Sequence, residues 1–319
     1  MSIIRVLKTA FLFIGTVIGA GFGTGKELTS FFHGASPITL IIGGLCMGLF
    51  CSFYLLIGSK FNEDLSVVAF KKYNGVFDLF VLFSTFAVFS AMFSTSDTVL
   101  EIFGVKCGGY ITMILSLVVS LVGIGFVKNV NFVVVPLIVA VVFYLFSLET
   151  PNDFTGTLSV LSPLLYGGMN IMLAGYLIAE EGKGMKKSEI VMSGVIVFVV
   201  MAVLMAVLYM TVRGENGEMP LLDVAKRHNQ SKMAGIVIYF AIVTTALSSA
   251  SLGIEKLDKY VKNKYLSAVL LFLLAIPVKI YVGFTGIVKY IYPFVSIMGV
   301  LVTMLPLVRL IKKKKTEGL

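Results

Sequence analysis

The strongest constraint on this chain is a series of uninterrupted apolar runs of roughly 20 residues, each long enough to cross about 30 Å of hydrocarbon at helical rise. They recur along all 319 residues, separated by short breaks rich in charge, glycine or proline. Hydrophobic residues make up 58% of the chain and charged residues only 13%, whereas a soluble domain carries about a quarter charged residues. Such a chain would precipitate as a soluble globule, so most of it must face lipid or other membrane helices. The first run, from Lys8, extends past signal-peptide length and is followed by further spans, so it is expected to be a retained membrane helix with no soluble domain left over.

The expected fold is all-α and polytopic, with ten transmembrane helices at 8–31, 35–59, 76–103, 108–127, 129–148, 157–180, 188–212, 233–254, 265–283 and 286–310. The third span, at about 28 residues and roughly 42 Å, must cross tilted or project from the bilayer. With the N-terminus inside, eighteen of the 26 lysines and arginines fall on inner segments: Arg5, Lys8, Lys60, Lys71, Lys72, Lys128, Lys183, Lys186, Lys187, Lys256, Lys259, Lys262, Lys264, Arg309 and Lys312 to Lys315. This bias places both termini in the cytoplasm and the protein in the cytoplasmic (inner) membrane. The formal charge of +9 is therefore topological and gives no nucleic-acid signal. The Lys312–Lys315 run suits anionic lipid. Cys46, Cys51 and Cys107 have no paired or metal-ligand spacing and are expected to be small core residues. The polar stretch 213–232, with Arg213, Glu215, Glu218, Asp223 and His228, is either a lid over an outer vestibule or a solvated loop. His33 and His228 are expected to be loop residues without partners.

Two spans carry helix-breaking sequence. Span one holds five glycines in the eleven residues Gly15–Gly25, each costing about 1 kcal/mol of helix propensity relative to alanine. Backbone that unwinds in a bilayer must be buried in protein or line a polar cavity, because lipid satisfies no N–H or C=O. Span six holds Ser162-Pro163-Leu164-Leu165-Tyr166-Gly167-Gly168-Met169-Asn170, where Pro163 removes a donor and Asn170 brings an amide near the midplane. Both segments are expected to break their helices. The breaks fall at equivalent places in two five-helix halves, 8–148 and 157–310, which an odd helix count threads in opposite directions. Paired discontinuities in inverted halves point to a transporter's central site, whereas a lone Gly-rich span more often serves close helix packing. The glycines are not a nucleotide loop, since no strand precedes them and no Lys-Ser/Thr follows.

The string GTVIGAGFGTGKE, Gly15 to Glu27, resembles the first-helix signature of the amino acid–polyamine–organocation superfamily, whose members share the LeuT fold. With ten spans and the Tyr166–Asn170 segment, the chain is most similar to the YkvI-like family of bacterial amino-acid permeases. The resemblance implies a 5+5 inverted repeat in which helices one, two, six and seven move against a scaffold containing three, four, eight and nine. It implies a substrate carboxylate held by amides around Gly19, Ala20, Gly21, Phe22 and Gly23, and an amino group held by carbonyls near Tyr166, Gly167, Gly168 and Met169, with Asn170 beside them. It also implies a sodium site between carbonyls of Gly15 and Ile18 and hydroxyls of Thr245, Ser248 and Ser249. Those three lie at i, i+3 and i+4, on one helix face; the same hydroxyls equally suit bonds across helices or to their own turn. Some proton-coupled members of that superfamily place a fifth-helix lysine in this ion position, and Val130–Leu148 holds none, so the resemblance implies Na⁺ over a proton as the coupling ion.

Charges inside spans cost about 2.5–3.5 kcal/mol each on insertion scales. Lys26 and Glu27, just after the first break, form either an outer gate or a helix-end ion pair. Asp97 either faces the cavity, taking a proton or a substrate amine, or lies near the outer interface. Lys279, Lys289 and Asp78 are expected to snorkel from span ends. Phe89 and Ser90 are candidates to line the pocket beside Phe22, Tyr166 and Met169, although phenylalanines at helical spacing usually pack. No nucleophile–base pair, metal cluster or cofactor motif supports a membrane enzyme. The expectation is a Na⁺-coupled secondary transporter that moves an amino acid or similar small amine by alternating access, with a non-transporting ligand sensor of the same fold, or a proton-coupled or uncoupled exchanger, as the alternatives.

Overall fold

The computed structural model describes residues 2–61, 65, 68, 74–121, 124–149 and 156–316. Lys71 and Lys72, which enter the charge count, lie outside the described residues, as do the side chains of Lys312 to Lys315. The described chain is helical, in the order α1 (Ile3–Val17), α2 (Ala20–Gly23), α3 (Lys26–Phe31), α4 (Pro37–Lys60), α5 (Asn74–Glu101), α6 (Gly108–Ser120) and α7 (Ile124–Leu148). It continues with α8 (Leu161–Gly182), α9 (Lys187–Val212), α10 (Pro220–Arg227), α11 (Ser231–Val261), α12 (Lys264–Tyr281), α13 (Gly283–Gly286), a π-helical turn at Ile287–Ile291 and α14 (Tyr292–Thr316). Among the described residues, 8 helices are long and apolar enough to cross a membrane. Of the ten expected spans, the first is divided into α1–α3 and the fourth, α6, has 13 residues.

Start signals in the sequence set several helix ends. Ser36 caps α4, its hydroxyl accepting from Thr39 N, with Pro37 at the first helical position where no N–H is needed. Asn263 caps α12 by accepting from the N–H groups of Tyr265 and Leu266. Glu189 accepts from Lys186 N at 3.1 Å and also from Ser2 N at 3.0 Å, tying the chain start to α9.

The helices pack as two groups. α4 lies along α8 and α9, and α1 joins them. α5 lies along α6, α11 and α12. The second group has its own apolar cluster, built from Phe89 and Phe93, Met113 and Leu117, Ala250 and Ile254, and Ala268, Leu271 and Ala275. A larger apolar cluster runs through both groups, with Val81, Met92 and Ile238 of the second packed among Phe13, Met47 and Leu204 of the first. Within the first group, Gly48 and Gly194 let α4 and α9 meet backbone to backbone: a Cβ on Gly48 would sit 2.6 Å from Gly194 O. α7 packs on α1 and α11, and α14 on α8.

Several expectations need correction. Span six does not break: α8 runs without interruption from Leu161 to Gly182. Pro163 occupies its first turn, where the missing N–H would have had no intrahelical acceptor. Gly167 packs under the ring of Phe50, and Gly168 faces Ser296 O and Val300 of α14, so both glycines serve close approach instead of unwinding. The boundary between spans four and five lies before Lys128, because Lys128 stays inside α7 by pairing with Glu181 of α8. α11 extends to Val261 and carries Lys256, expected in an inner segment, as a fully buried side chain paired with Asp78. Cys51 is buried and Cys46 half-buried, but Cys107 is exposed, at φ 59° ahead of α6.

Candidate functional site

The first span breaks where its glycines allow it. α1 ends at Val17; Ile18 (φ −77°, ψ 76°) and Gly19 (φ −94°, ψ −163°) leave helical conformation before α2 begins. In a continuous helix the carbonyls of Gly15 and Thr16 would accept from the N–H groups of Gly19 and Ala20. Here Gly19 N turns to Val17 O at 2.9 Å, and Ala20 N meets the weak acceptor Met92 Sδ at 3.3 Å. The two freed carbonyls are met by one hydroxyl of α11, with Thr245 Oγ1 at 3.2 Å from each.

Further polar groups gather at this point. Thr16 Oγ1 lies 3.0 Å from Ser248 Oγ. Ser248 also bonds Thr244 O, and Ser249 turns back to Thr245 O at 2.7 Å. Asn131 of α7 is fully buried against Gly15, where an added Cβ would sit 2.6 Å from its Cγ, and neither of its amide atoms has a hydrogen-bond partner. Carbonyl and hydroxyl oxygens converging at bilayer depth are donors of the kind a hard monovalent cation takes at an unwound transporter helix. Of the predicted ligands, Gly15, Thr245 and Ser248 meet here, Ile18 marks the break and Ser249 faces its own helix. Thr16 and Asn131 escaped sequence reading: a threonine in an apolar helix is ambiguous, and nothing local links Asn131 to Gly15. Among the described residues, no group of three or more His, Cys, Asp or Glu side chains could hold a metal ion.

A second bend follows at Gly25, whose φ of +79° favours glycine, and α3 sets off from it. Lys26 and Glu27 then diverge. Lys26 Nζ donates to Gly217 O in the 213–232 segment at 2.9 Å. Glu27 turns inward, is 3% exposed and accepts from Tyr166 Oη at 3.2 Å. Its carboxyl lies against Gly21, where any Cβ would collide with it. Phe31 and Phe32 meet the Tyr166 ring edge-on, at centroid distances of 5.4 and 5.5 Å.

Between these two clusters lies a cavity of about 20 Å³, lined by Thr16, Gly19, Glu27, Met92, Met169, Asn170, Thr245 and Tyr292 among others. It has room for about one water molecule, so a solute enters only after the helices separate. Gly19, Met169 and Asn170 line this cavity, with Asn170 Nδ2 donating to Tyr166 O at 3.0 Å. Phe22 is buried, and Gly23 abuts Ala241. Phe89 packs in the apolar cluster of the second group and Ser90 is fully buried; Val88 and Met92 are the α5 residues that face the cavity.

Charged contacts close both ends. Toward α10, Leu221 N donates to Thr24 O at 2.8 Å. Arg227 pairs with Glu149 at 3.1 Å and with Glu215, and His228, expected to be partnerless, meets Glu149 at 2.9 Å. Cavities of about 500 and 560 Å³ flank Lys26 at this end, the first lined also by His33 and Arg213, the second by Phe31 and Ser162. The 213–232 segment therefore rests directly on the broken helix. At the opposite end, Asp78 pairs with Lys256 and Lys259, and Lys256 lies 3.7 Å from the centroid of the Tyr176 ring. Asp78 is thus clamped instead of snorkelling. Asp97 accepts from Gly109 N at 2.7 Å and pairs with Lys279, which lies over Phe93 and Tyr110; this fastens α5, α6 and α12 and does not reach the cavity. Lys289 is exposed, as expected.

No family model matches the chain. It is 26% identical over 320 residues to the uncharacterized membrane protein YkvI of Bacillus subtilis (strain 168), covering 90% of both chains. It is 22% identical over 318 residues to the uncharacterized protein YyaD of the same organism, covering 92% of this chain and 93% of that one. Among solved structures it resembles MhsT in complex with L-phenylalanine, with a TM-score of 0.66 and 15% identity, over 95% of this chain and 88% of that chain. The architecture is thus the LeuT fold, in a multi-pass membrane protein similar to YkvI.

Proposed function

We propose that the chain is a secondary active transporter that moves an amino acid or similar small amine across the cytoplasmic membrane by alternating access, coupled to Na⁺, with both termini in the cytoplasm. The observation that carries this reading is the unwound Ile18–Gly19 junction, where the carbonyls of Gly15 and Thr16 lose their helical donors and meet the Thr245 hydroxyl, with the hydroxyls of Thr16 and Ser248 in contact beside them. Na⁺ fits these donors because they are all oxygen and carry no formal charge. The freed N–H groups at the start of α2 provide partial positive charge for a substrate carboxylate. The two packed groups supply bodies that can rock about the site, and 8–148 and 157–310 serve as the inverted halves. A solved neighbour bound to L-phenylalanine supports a small-molecule substrate, and the Gly15–Glu27 string supports the amino acid–polyamine–organocation superfamily and, within it, an amino-acid permease.

The test is reconstitution of the purified chain in liposomes under an inward Na⁺ gradient with labelled amino acids and amines. Accumulation that collapses when the gradient is dissipated is the expected result. Binding without accumulation would assign the chain instead to the ligand-sensing class of the same fold.

A further inference from the structure

The unbroken α8 raises a question of charge. The carbonyls of Tyr166–Met169, expected to hold a substrate ammonium, are inside a continuous helix, and Tyr166 O additionally accepts from Asn170 Nδ2. A cation entering the central cavity therefore finds no unwound carbonyls on that side.

It finds Glu27. This carboxyl lines the cavity opposite Thr245, is 3% exposed and has one hydrogen-bond donor, Tyr166 Oη. The groups that face it are Tyr166 from α8 and Tyr292 from α14, both neutral phenols at ordinary pH, together with the Gly21 backbone. Lys26, its sequence neighbour, is directed away to Gly217 O. Among the described residues no lysine, arginine or histidine is paired with it. A single phenolic donor does not compensate an ionised carboxylate removed from water. Such a group is stable in two forms only: protonated, or paired with a cation.

We propose that Glu27 is the cation-recognising group of the central site: it takes the ammonium of an amine-bearing solute, and it holds a proton whenever that ammonium is absent. Charge then balances at each stage, since the proton leaves to water as the ammonium arrives and returns as it departs. The site selects ligands that carry a protonated amine, and the collision that any Cβ at Gly21 would make with this carboxyl explains why residue 21 lacks a side chain. The inference rests on the transporter reading for its solute, but not for its proton.

Infrared difference spectroscopy on the full chain in lipid tests it, comparing wild type with Glu27→Gln and Glu27→Asp. A protonated-carboxyl C=O stretch should be present in the wild type, absent in Glu27→Gln and shifted in Glu27→Asp. Phenethylamine, an amine without a carboxylate, should bleach the wild-type band, and 3-phenylpropionate, a carboxylate without an amine, should leave it. In liposomes, Glu27→Gln should lose amine uptake by tenfold or more while its unfolding temperature stays near wild type. Identical bands in wild type and Glu27→Gln, or a band indifferent to every amine tried, would overturn the assignment. A wild-type band that amines bleach, without uptake of any of them, would retain Glu27 as the cation group and remove the transport reading.

Discussion

The hydroxyl of Thr245 donates to the carbonyl oxygen of Gly15 across 3.2 Å, joining residues 230 positions apart at the point where the first span comes undone. The bond stands in for the helical N–H that Gly15 has lost, so one side chain both stabilises the break and completes an oxygen cluster.

Replacing Thr245 with valine keeps its shape and removes its oxygen. The single O–H that two buried carbonyls share is then lost, at a cost of about 1–3 kcal/mol. The Na⁺ concentration for half-maximal uptake should rise at least tenfold, read from uptake against external Na⁺. An unaltered Na⁺ dependence in Thr245→Val and in Ser248→Ala would move the ion site elsewhere.

Gly15→Ala would bring a methyl group to 2.6 Å from Asn131 Cγ. Overpacking of this kind costs about 1–3 kcal/mol, measurable as a lower unfolding temperature in detergent. Asn131→Ala opens the space and should recover most of that loss in the double variant. If the two changes simply add, Asn131 is not what restricts residue 15.

The pair formed by Asp78 and Lys256 is fastened among α5, α8 and α11, with the Lys256 ammonium over the Tyr176 ring. Removing one partner strands a buried charge, at about 3–5 kcal/mol. Asp78→Asn should therefore destabilise strongly, whereas Asp78→Leu with Lys256→Met should restore stability. Because the Lys256 ammonium also reaches Tyr176 of α8, in the other helix group, the double variant should also raise solvent access to the cavity, read by cysteine labelling at Met169→Cys.

At the opposite end, partial burial pushes the Glu149 carboxyl up, but hydrogen bonds with His228 and Arg227 and their charge outweigh it, leaving it below its ordinary value of 4.5. A carboxyl lowered in the folded state adds stability that is complete above the unfolded value and disappears as pH falls through the folded one. The Glu149 contribution to the hold of the 213–232 segment should thus be complete above about pH 4.5 and be lost as pH falls further. Limited proteolysis across that range should show acid-enhanced cleavage, and Glu149→Gln should be cleaved readily at every pH.

The two glycine-bearing segments show how far local sequence reaches. Five glycines in eleven residues weaken span one wherever it packs, so its break was legible from propensity alone. Pro163, Gly167 and Gly168 carry a similar local signal, yet α8 is continuous, because Phe50, Ser296 and Val300 occupy the space those glycines leave. A missing side chain looks the same in sequence whether it frees a backbone or admits a neighbour. Glu27 was visible as an intramembrane charge, but its partner Tyr166 lies 139 residues away.

By itself, then, the sequence determined that the chain crosses a bilayer repeatedly, where most of its long apolar helices lie, and that the first span must unwind, since these follow from hydrophobic length and backbone propensity within single segments. Which oxygens meet the freed carbonyls, which way Glu27 turns, and that the sixth span stays whole were decided only when distant helices packed, because each depends on the shape and charge another segment presents across the contact.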